Sequence, residues 1–320
     1  MEKLLEVNNL RVEFAMRHGV VQALRDVSFT VGKGERMGLV GESGAGKSLT
    51  GFAIINLISK PGSISGGNIV LEGEDLAGMS IEQIRNIRGN RVSMIFQDPM
   101  MTLNPVLNIR TQMVETLKAH RSITDAEAEA ICLDKLRKVY IPSPEKRLSQ
   151  YPHEFSGGMR QRIVIAIALL TDPALIIADE PTTALDVTIQ AEIMDLLLQL
   201  CRDEDMGLLL ITHDLAVVGE VTQKIAVMYA GRIVEMGTTR ETIDTPQHPY
   251  TKGLIAALPQ TGGTGARLTQ IPGIMPSLVN LPAGCSFHPR CPLCQEICKT
   301  QVPPLEAKTS GRILACFMVE

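Results

Sequence analysis

For its first hundred residues the chain alternates short apolar runs with glycine punctuation. Residues 27–31 and 69–71 are β-branched or apolar and bounded by Gly and Lys, which predicts short strands. Arg36-Met37-Gly38-Leu39-Val40 reads as a further strand running into a glycine-rich turn, and residues 49–57 can continue as a helix. Residues 102–170 change character. Thr124-Asp125-Ala126-Glu127 offers a helix cap and good helix formers follow, so this stretch predicts a mostly helical insertion. Beyond it, residues 175–178 and 208–211 are apolar strands, and Ile189, Ile193, Leu196, Leu197 and Leu200 recur at helical spacing. Residues 224–229 and 232–236 form a hairpin around Gly231. Strand–helix alternation implies an α/β fold with a parallel sheet covered by helices. Pro246, Pro249 and the Gly-rich residues 261–265 mark a boundary to a tail.

Composition narrows the class. The 320 residues are 45% hydrophobic and 21% charged, as in an ordinary globular protein, and suit one large domain with an appendage, or two domains. A net charge of −4 gives no basic surplus for nucleic acid. The longest apolar stretch, residues 163–178, is broken by Asp172 and Pro173 and falls short of the roughly 18 residues of a membrane span. Met1-Glu2-Lys3-Leu4-Leu5-Glu6 has no long apolar core, which argues against secretion. A membrane role would need other chains to hold this one there.

Gly41-Glu42-Ser43-Gly44-Ala45-Gly46-Lys47-Ser48, followed by Leu49, fits the phosphate-loop pattern. Glycines let successive N–H groups turn around a phosphate, and the helix N-terminus behind them adds its positive end. Lys47 reaches β- and γ-phosphates and the Ser48 hydroxyl ligates Mg²⁺. Leu175-Ile176-Ile177-Ala178-Asp179-Glu180 supplies the partner, an apolar strand ending in carboxylates. Asp179 is placed to hold Mg²⁺ and Glu180 to act as base or water-orienting group.

Between those motifs lies Phe155-Ser156-Gly157-Gly158-Met159-Arg160-Gln161-Arg162, a second helix start suited to a phosphate. Here the chain resembles the ABC (ATP-binding cassette) ATPases, whose signature has the form Ser-Gly-Gly-x-x. The resemblance implies that Ser156, Gly157 and Gly158 close over the nucleotide of another chain. It also implies that Gln97 in Phe96-Gln97-Asp98-Pro99 senses Mg²⁺ and water, that Ala184-Leu185-Asp186 is the D-loop, and that His213 touches the γ-phosphate. Phe14 stands where the family's adenine-stacking aromatic falls, and would serve as well in a core. Met159, Phe155 and Thr183 depart from commoner choices without removing a ligand. Gln97-Asp98-Pro99, Leu103-Asn104-Pro105, Tyr151-Pro152-His153-Glu154 and Gln247-His248-Pro249-Tyr250-Thr251 resemble the peptide and nickel importer branch, in particular the first ATPase subunit of dipeptide and oligopeptide importers.

The resemblance implies a P-loop core at residues 1–240, mainly parallel with an antiparallel β subdomain. A helical subdomain at about 100–170 and a cysteine-containing extension at 241–320 complete it. It implies ATP hydrolysis coupled to uptake of di- or oligopeptides, with nickel or glutathione-like solutes as the alternative cargo. Partners would be a second ABC ATPase subunit, two transmembrane permeases and, indirectly, an extracytoplasmic solute-binding protein. Nucleic acid is not expected. The place would be the cytoplasmic face of the membrane, peripherally. A soluble ABC ATPase acting on nucleic acid or ribosomes is the competing class; those usually carry tandem cassettes, coiled-coil arms or zinc modules, which this cassette lacks.

Five of the seven cysteines follow Gly284: Cys285, Cys291, Cys294, Cys298 and Cys316. The odd count and local crowding suggest a metal or iron–sulfur site in reduced surroundings, or else plain thiols. In the importer branch the pattern matches Cys285, Cys291, Cys298 and Cys316 as ligands of a [4Fe–4S] cluster. Cys294 is a competitor, because Cys291-Pro292-Leu293-Cys294 also suits Zn²⁺. Phe317 stands where relatives often have His. Cys132 and Cys201 read as core thiols.

Overall fold

The structure is a computed structural model that describes residues 2–17, 19–183, 185–258, 270–308 and 312–319. In chain order the strands are β1 (Lys3–Met16), β2 (Gly19–Gly32), β3 (Arg36–Val40), β4 (Gly62–Leu71), β5 (Glu74–Asp75) and β6 (Val92–Ile95). Then follow β7 (Leu175–Asp179), β8 (Gly207–Thr212), β9 (Lys224–Tyr229), β10 (Arg232–Thr238), β11 (Glu306–Ala307) and β12 (Ile313–Leu314). They make a four-stranded sheet in the order β2-β1-β4-β5 and an eight-stranded sheet in the order β11-β12-β10-β9-β3-β8-β7-β6.

In the larger sheet β9, β3, β8, β7 and β6 run parallel. Every residue of β7 and β8 is buried. Leu175, Ile177, Leu209 and Ile211 enter one core cluster; Ile176, Ala178, Leu208 and Leu210 enter the other. Both faces are covered, which is why these strands read as unbroken apolar runs. The smaller sheet is antiparallel, and β1 pairs with both β2 and β4.

The predicted helical stretch contains helices Ile109–Lys118, Asp125–Lys138 and Gly157–Ala168. Thr124 caps the second through a capping box with Glu127. The Phe155 side chain is buried in the same cluster as these helices.

The tail is joined to the core sheet. Strand β12 pairs antiparallel with β10, matching Glu235 with Leu314 and Met236 with Ile313. Fully buried Glu235 accepts the backbone N–H groups of Gln247 (3.0 Å) and His248 (2.9 Å), and Arg312 approaches it at 3.4 Å. These partners account for a carboxylate being tolerated there. His248 then caps helix Pro249–Ala256 by accepting from the Tyr250 N–H. Residues 261–265, expected at the boundary, lie outside the described residues, as does Ala184 of the D-loop. Among the described residues no helix is long and apolar enough to cross a membrane.

Candidate nucleotide site and cysteine pocket

Strand β3 ends at Val40 and the loop turns at once. A Cβ on Gly41 would come within 2.3 Å of the Met228 carbonyl oxygen, so β9 leaves no room for a side chain there. Gly46 adopts φ 105°, a conformation open to glycine, and caps helix Lys47–Ile54. The helix therefore begins two residues earlier than the apolar pattern suggests. Lys47 is buried, and its Nζ donates to the carbonyls of Gly41 (2.8 Å) and Glu42 (3.1 Å). Burial lowers its pKa, against the opposing charges of Glu180, Asp179 and Glu42.

Strand β7, beside β8, brings Asp179 to the loop, where Asp179 Oδ1 accepts from Ser48 Oγ at 2.9 Å. Burial pushes the Asp179 carboxyl up to about 6, although the Ser48 hydrogen bond works in the other direction. A hard divalent cation with oxygen ligands fits this buried hydroxyl–carboxylate pair and would relieve that burial cost.

Glu180 leaves the strand line. Its φ is 44°, uncommon for a residue with a side chain, and its N–H donates to the Ile211 carbonyl at 2.8 Å. That turn separates it from Asp179. Three side chains hold the carboxylate: Gln97 Nε2 at 3.0 Å, Thr183 Oγ1 at 3.0 Å and His213 Nδ1 at 3.0 Å. Burial raises its pKa, but the hydrogen bonds from His213 and Thr183 outweigh that and hold it below the usual carboxylate value. Gln97, Glu180 and His213 thus meet although 83 and 33 residues separate the pairs.

The loop opens into a cavity of about 1240 Å³ that includes Phe14, Gly41 to Gly44, Gly46 to Leu49, Gln97, Glu180 and His213. Ala45 is buried behind the loop. Ser156, Gly157 and Gly158 are not part of this cavity. Ser156 caps helix Gly157–Ala168, Gly157 faces Leu185, and Gly158 faces Ile189. Asp186 caps helix Val187–Asp203 by accepting from the Ile189 N–H at 3.0 Å.

Sequence reasoning missed one wall of the cavity, which comes from the tail: Gly273, Ile274, Met275, Leu278 and Val279. It also missed Arg290, whose Nη1 and Nη2 clasp Glu42 at 2.7 and 3.0 Å. The tail follows every phosphate-handling residue in sequence, yet it lines their cavity and touches their loop. The only sequence signal was a lone Arg among apolar and cysteine neighbours, in Pro289-Arg290-Cys291.

A second, small pocket is lined by Cys285, Cys291, Cys298 and Cys316 together with His248, Phe287 and His288. Cys294 is not in it; its thiol leans toward the Gln295 carbonyl at 3.7 Å. All seven cysteines are free thiols. Burial pushes the Cys285 thiol up to about 11 and raises Cys291 and Cys316 as well; the neighbouring cysteines add to the rise. Backbone N–H groups of Phe287, Leu293 and Met318 oppose it at Cys285, Cys291 and Cys316. Among the described residues no group of three or more His, Cys, Asp or Glu is set to hold a metal ion. This holds for zinc and for an iron–sulfur cluster alike: the four thiols share the pocket without a preformed ligand set. Cys132 and Cys201 are buried, and burial pushes both thiols up to about 12.

A glycine loop on a helix N-terminus, opposite a held carboxylate and at the carboxyl ends of parallel strands, defines a P-loop nucleotide-hydrolysing cassette. Comparison with known proteins agrees. The family described as ABC transporter matches residues 24–183, and the family described as Oligopeptide/dipeptide transporter, C-terminal region, matches residues 234–298. The chain is 49% identical over 314 residues to the oligopeptide transport ATP-binding protein OppD of Salmonella typhimurium, covering 98% of this chain and 93% of that one. It is 47% identical over 319 residues to the dipeptide transport ATP-binding protein DppD of Bacillus subtilis, covering 99% and 95%. A solved structure, the dimeric bacterial ABC transporter cassette MJ0796, matches with a TM-score of 0.66 at 25% identity, covering 74% of this chain and 99% of that chain. The chain belongs to the ABC transporter family, among its ATP-hydrolysing subunits.

Proposed function

We propose that this chain hydrolyses ATP to drive uptake of di- and oligopeptides through partner permeases at the cytoplasmic face of the membrane. The observation that carries the reading is the Glu180 carboxylate, held by Gln97, Thr183 and His213 at the mouth of the phosphate loop. The names of the OppD and DppD relatives support the peptide cargo. Lys47 binds the β- and γ-phosphates, and Phe14 stacks on the base. Ser48, Asp179 and Gln97 would hold Mg²⁺, which when bound neutralises charge on the phosphates. Glu180, ionised at neutral pH, orients and deprotonates the attacking water, and His213 steadies the γ-phosphate end. Ser156, Gly157 and Gly158 complete the site of a second cassette, identical or related. Their absence from this chain's own cavity supports that sharing. A solute-binding protein would deliver cargo from the other side.

Glu180→Gln tests the chemistry in the complete transporter. ATP still binds, while hydrolysis and peptide uptake fall by roughly 10²–10⁴-fold, the scale of a general base. Near-normal turnover would move the base role elsewhere, first to His213.

The same proposal gives the tail a [4Fe–4S] cluster held by Cys285, Cys291, Cys298 and Cys316. Support comes from the pocket those four thiols share and from backbone N–H groups directed at three of them, a feature that tunes cluster sulfurs. Full-length protein purified without oxygen should carry about four irons per chain. One zinc, or neither metal, would overturn the assignment.

A further inference from the structure

We propose that tail segment 272–279 is the second wall of the nucleobase pocket, facing Phe14, and that Arg290 is the positioning residue that ties this wall to the phosphate loop. The inference rests on the P-loop reading above and adds a base subsite that the loop itself lacks.

Two separate stretches meet at the cavity. Phe14 and Met16 come from β1, and Ile274, Met275 and Val279 come from the tail. Met16 is 54% exposed, Val279 65% and Ile274 88%. Large apolar side chains left open on both sides of one cleft mark a surface that an apolar ligand group covers. The Met275 methyl lies against the loop, 3.0 Å from where a Cβ on Gly44 would stand. The gap therefore continues from the phosphate cradle, and a flat heteroaromatic ring attached to a triphosphate is the occupant it suits. Thioether and aliphatic groups on one face and an aromatic ring on the other make a base sandwich.

Arg290 fixes where that wall sits. Its side chain is buried; Nη1 and Nη2 donate to the two Glu42 oxygens, and Nε donates to the Pro272 carbonyl at 2.9 Å. The guanidinium lies 5.9 Å from the centre of the Tyr229 ring. The Glu42 N–H in turn donates to the Tyr250 hydroxyl at 2.9 Å. One planar side chain thus reads the second residue of the phosphate loop and the first residue of the wall together. A lysine cannot do this, having no fork.

Calorimetric titration of the full chain with Mg²⁺ and either ATP or inorganic tripolyphosphate tests both parts. Tripolyphosphate has the phosphates without the base. Ile274→Ala with Met275→Ala should weaken ATP about tenfold and change tripolyphosphate by no more than about twofold, since only the base loses apolar contact. Arg290→Lys keeps a charge beside Glu42 and should weaken ATP more than tripolyphosphate. Equal weakening of both ligands would show that the segment acts on the loop alone and overturn the wall. Tighter ATP binding by the double variant would show an obstruction, and unchanged binding would show no contact; either result also overturns it. Failure of the P-loop reading looks different: the wild type would bind neither ligand, or Lys47→Ala would keep both.

Discussion

The phosphate pocket, whose Glu42 Arg290 clasps, and the cysteine pocket, lined by the neighbouring Cys291, are built by opposite means. The first draws its groups from the ends of β3, β7 and β8, strands buried on both faces and locked in parallel register. Asp179, Ser48 and Glu180 are therefore partnered at 2.9–3.0 Å by the fold itself. The second takes Cys285 and Cys291 from a run of short turns, Cys298 from the five-residue helix Glu296–Thr300 and Cys316 from beyond β12. Its thiols share a hollow without converging on a point. A sheet can hold reactive groups in place before any ligand arrives, whereas a loop cluster depends on its ligand to complete it.

The strongest way to sharpen that contrast is Lys47→Ala. Nucleotide affinity should drop about a thousandfold, as two charge-assisted hydrogen bonds at roughly 2 kcal/mol each imply, while iron content and the melting midpoint of the tail stay put. Calorimetry and metal analysis on one preparation read both.

Acid should act the other way round. Burial drives the His248 imidazole down to about 4, against a hydrogen bond at Ala315 that raises it. The folded state thus takes up its proton later than the unfolded chain, whose His titrates near 6.5. Stability from this group is complete above about pH 6.5 and is lost as pH falls toward 4, by on the order of 3 kcal/mol. His248 lines the cysteine pocket, so urea midpoints between pH 7 and 4 should fall with the tail loosening first. His248→Asn, which keeps the cap acceptor, should remove that part of the slope; an unaltered slope would contradict the assignment.

Within the tail, Cys298→Ser should cost about 2 kcal/mol by placing a hydroxyl in a buried site, and should release bound iron. Cys294→Ser should do neither, since Cys294 stands outside the pocket. Iron loss from the Cys294 variant would instead select Cys285, Cys291, Cys294 and Cys298 as the site. The smallest effect belongs to the phosphate side. Asp186→Ala removes the cap of helix Val187–Asp203 and should cost about 1 kcal/mol in thermal unfolding, with the tail indifferent.

The same contrast governs what could be read from the sequence. Lys47, Ser48, Asp179 and Glu180 were legible because strand, turn and helix are contiguous there, and each motif carries its own geometry. The helix cap at Thr124 was legible for the same reason. The left-handed turn at Glu180 was not, because it is imposed by β8 through the Ile211 carbonyl. Arg290 was hidden because its partner Glu42 lies 248 residues away, and neither residue advertises the other. Apolar residues 274–279 gave no periodicity to read, since they form neither helix nor strand. The union of β12 with β10 was equally silent: a two-residue strand is too short to show alternation.

That last union has a consequence in time. Until β12 docks, β10 is the open border of the central sheet, its edge bare to any passing strand. Residues 239–312 must leave the ribosome first, which at roughly 5–20 residues per second takes on the order of four to fifteen seconds. Through that interval the newborn cassette is tacky along one side, and the border is covered at Glu235 and Met236 only when β12 arrives.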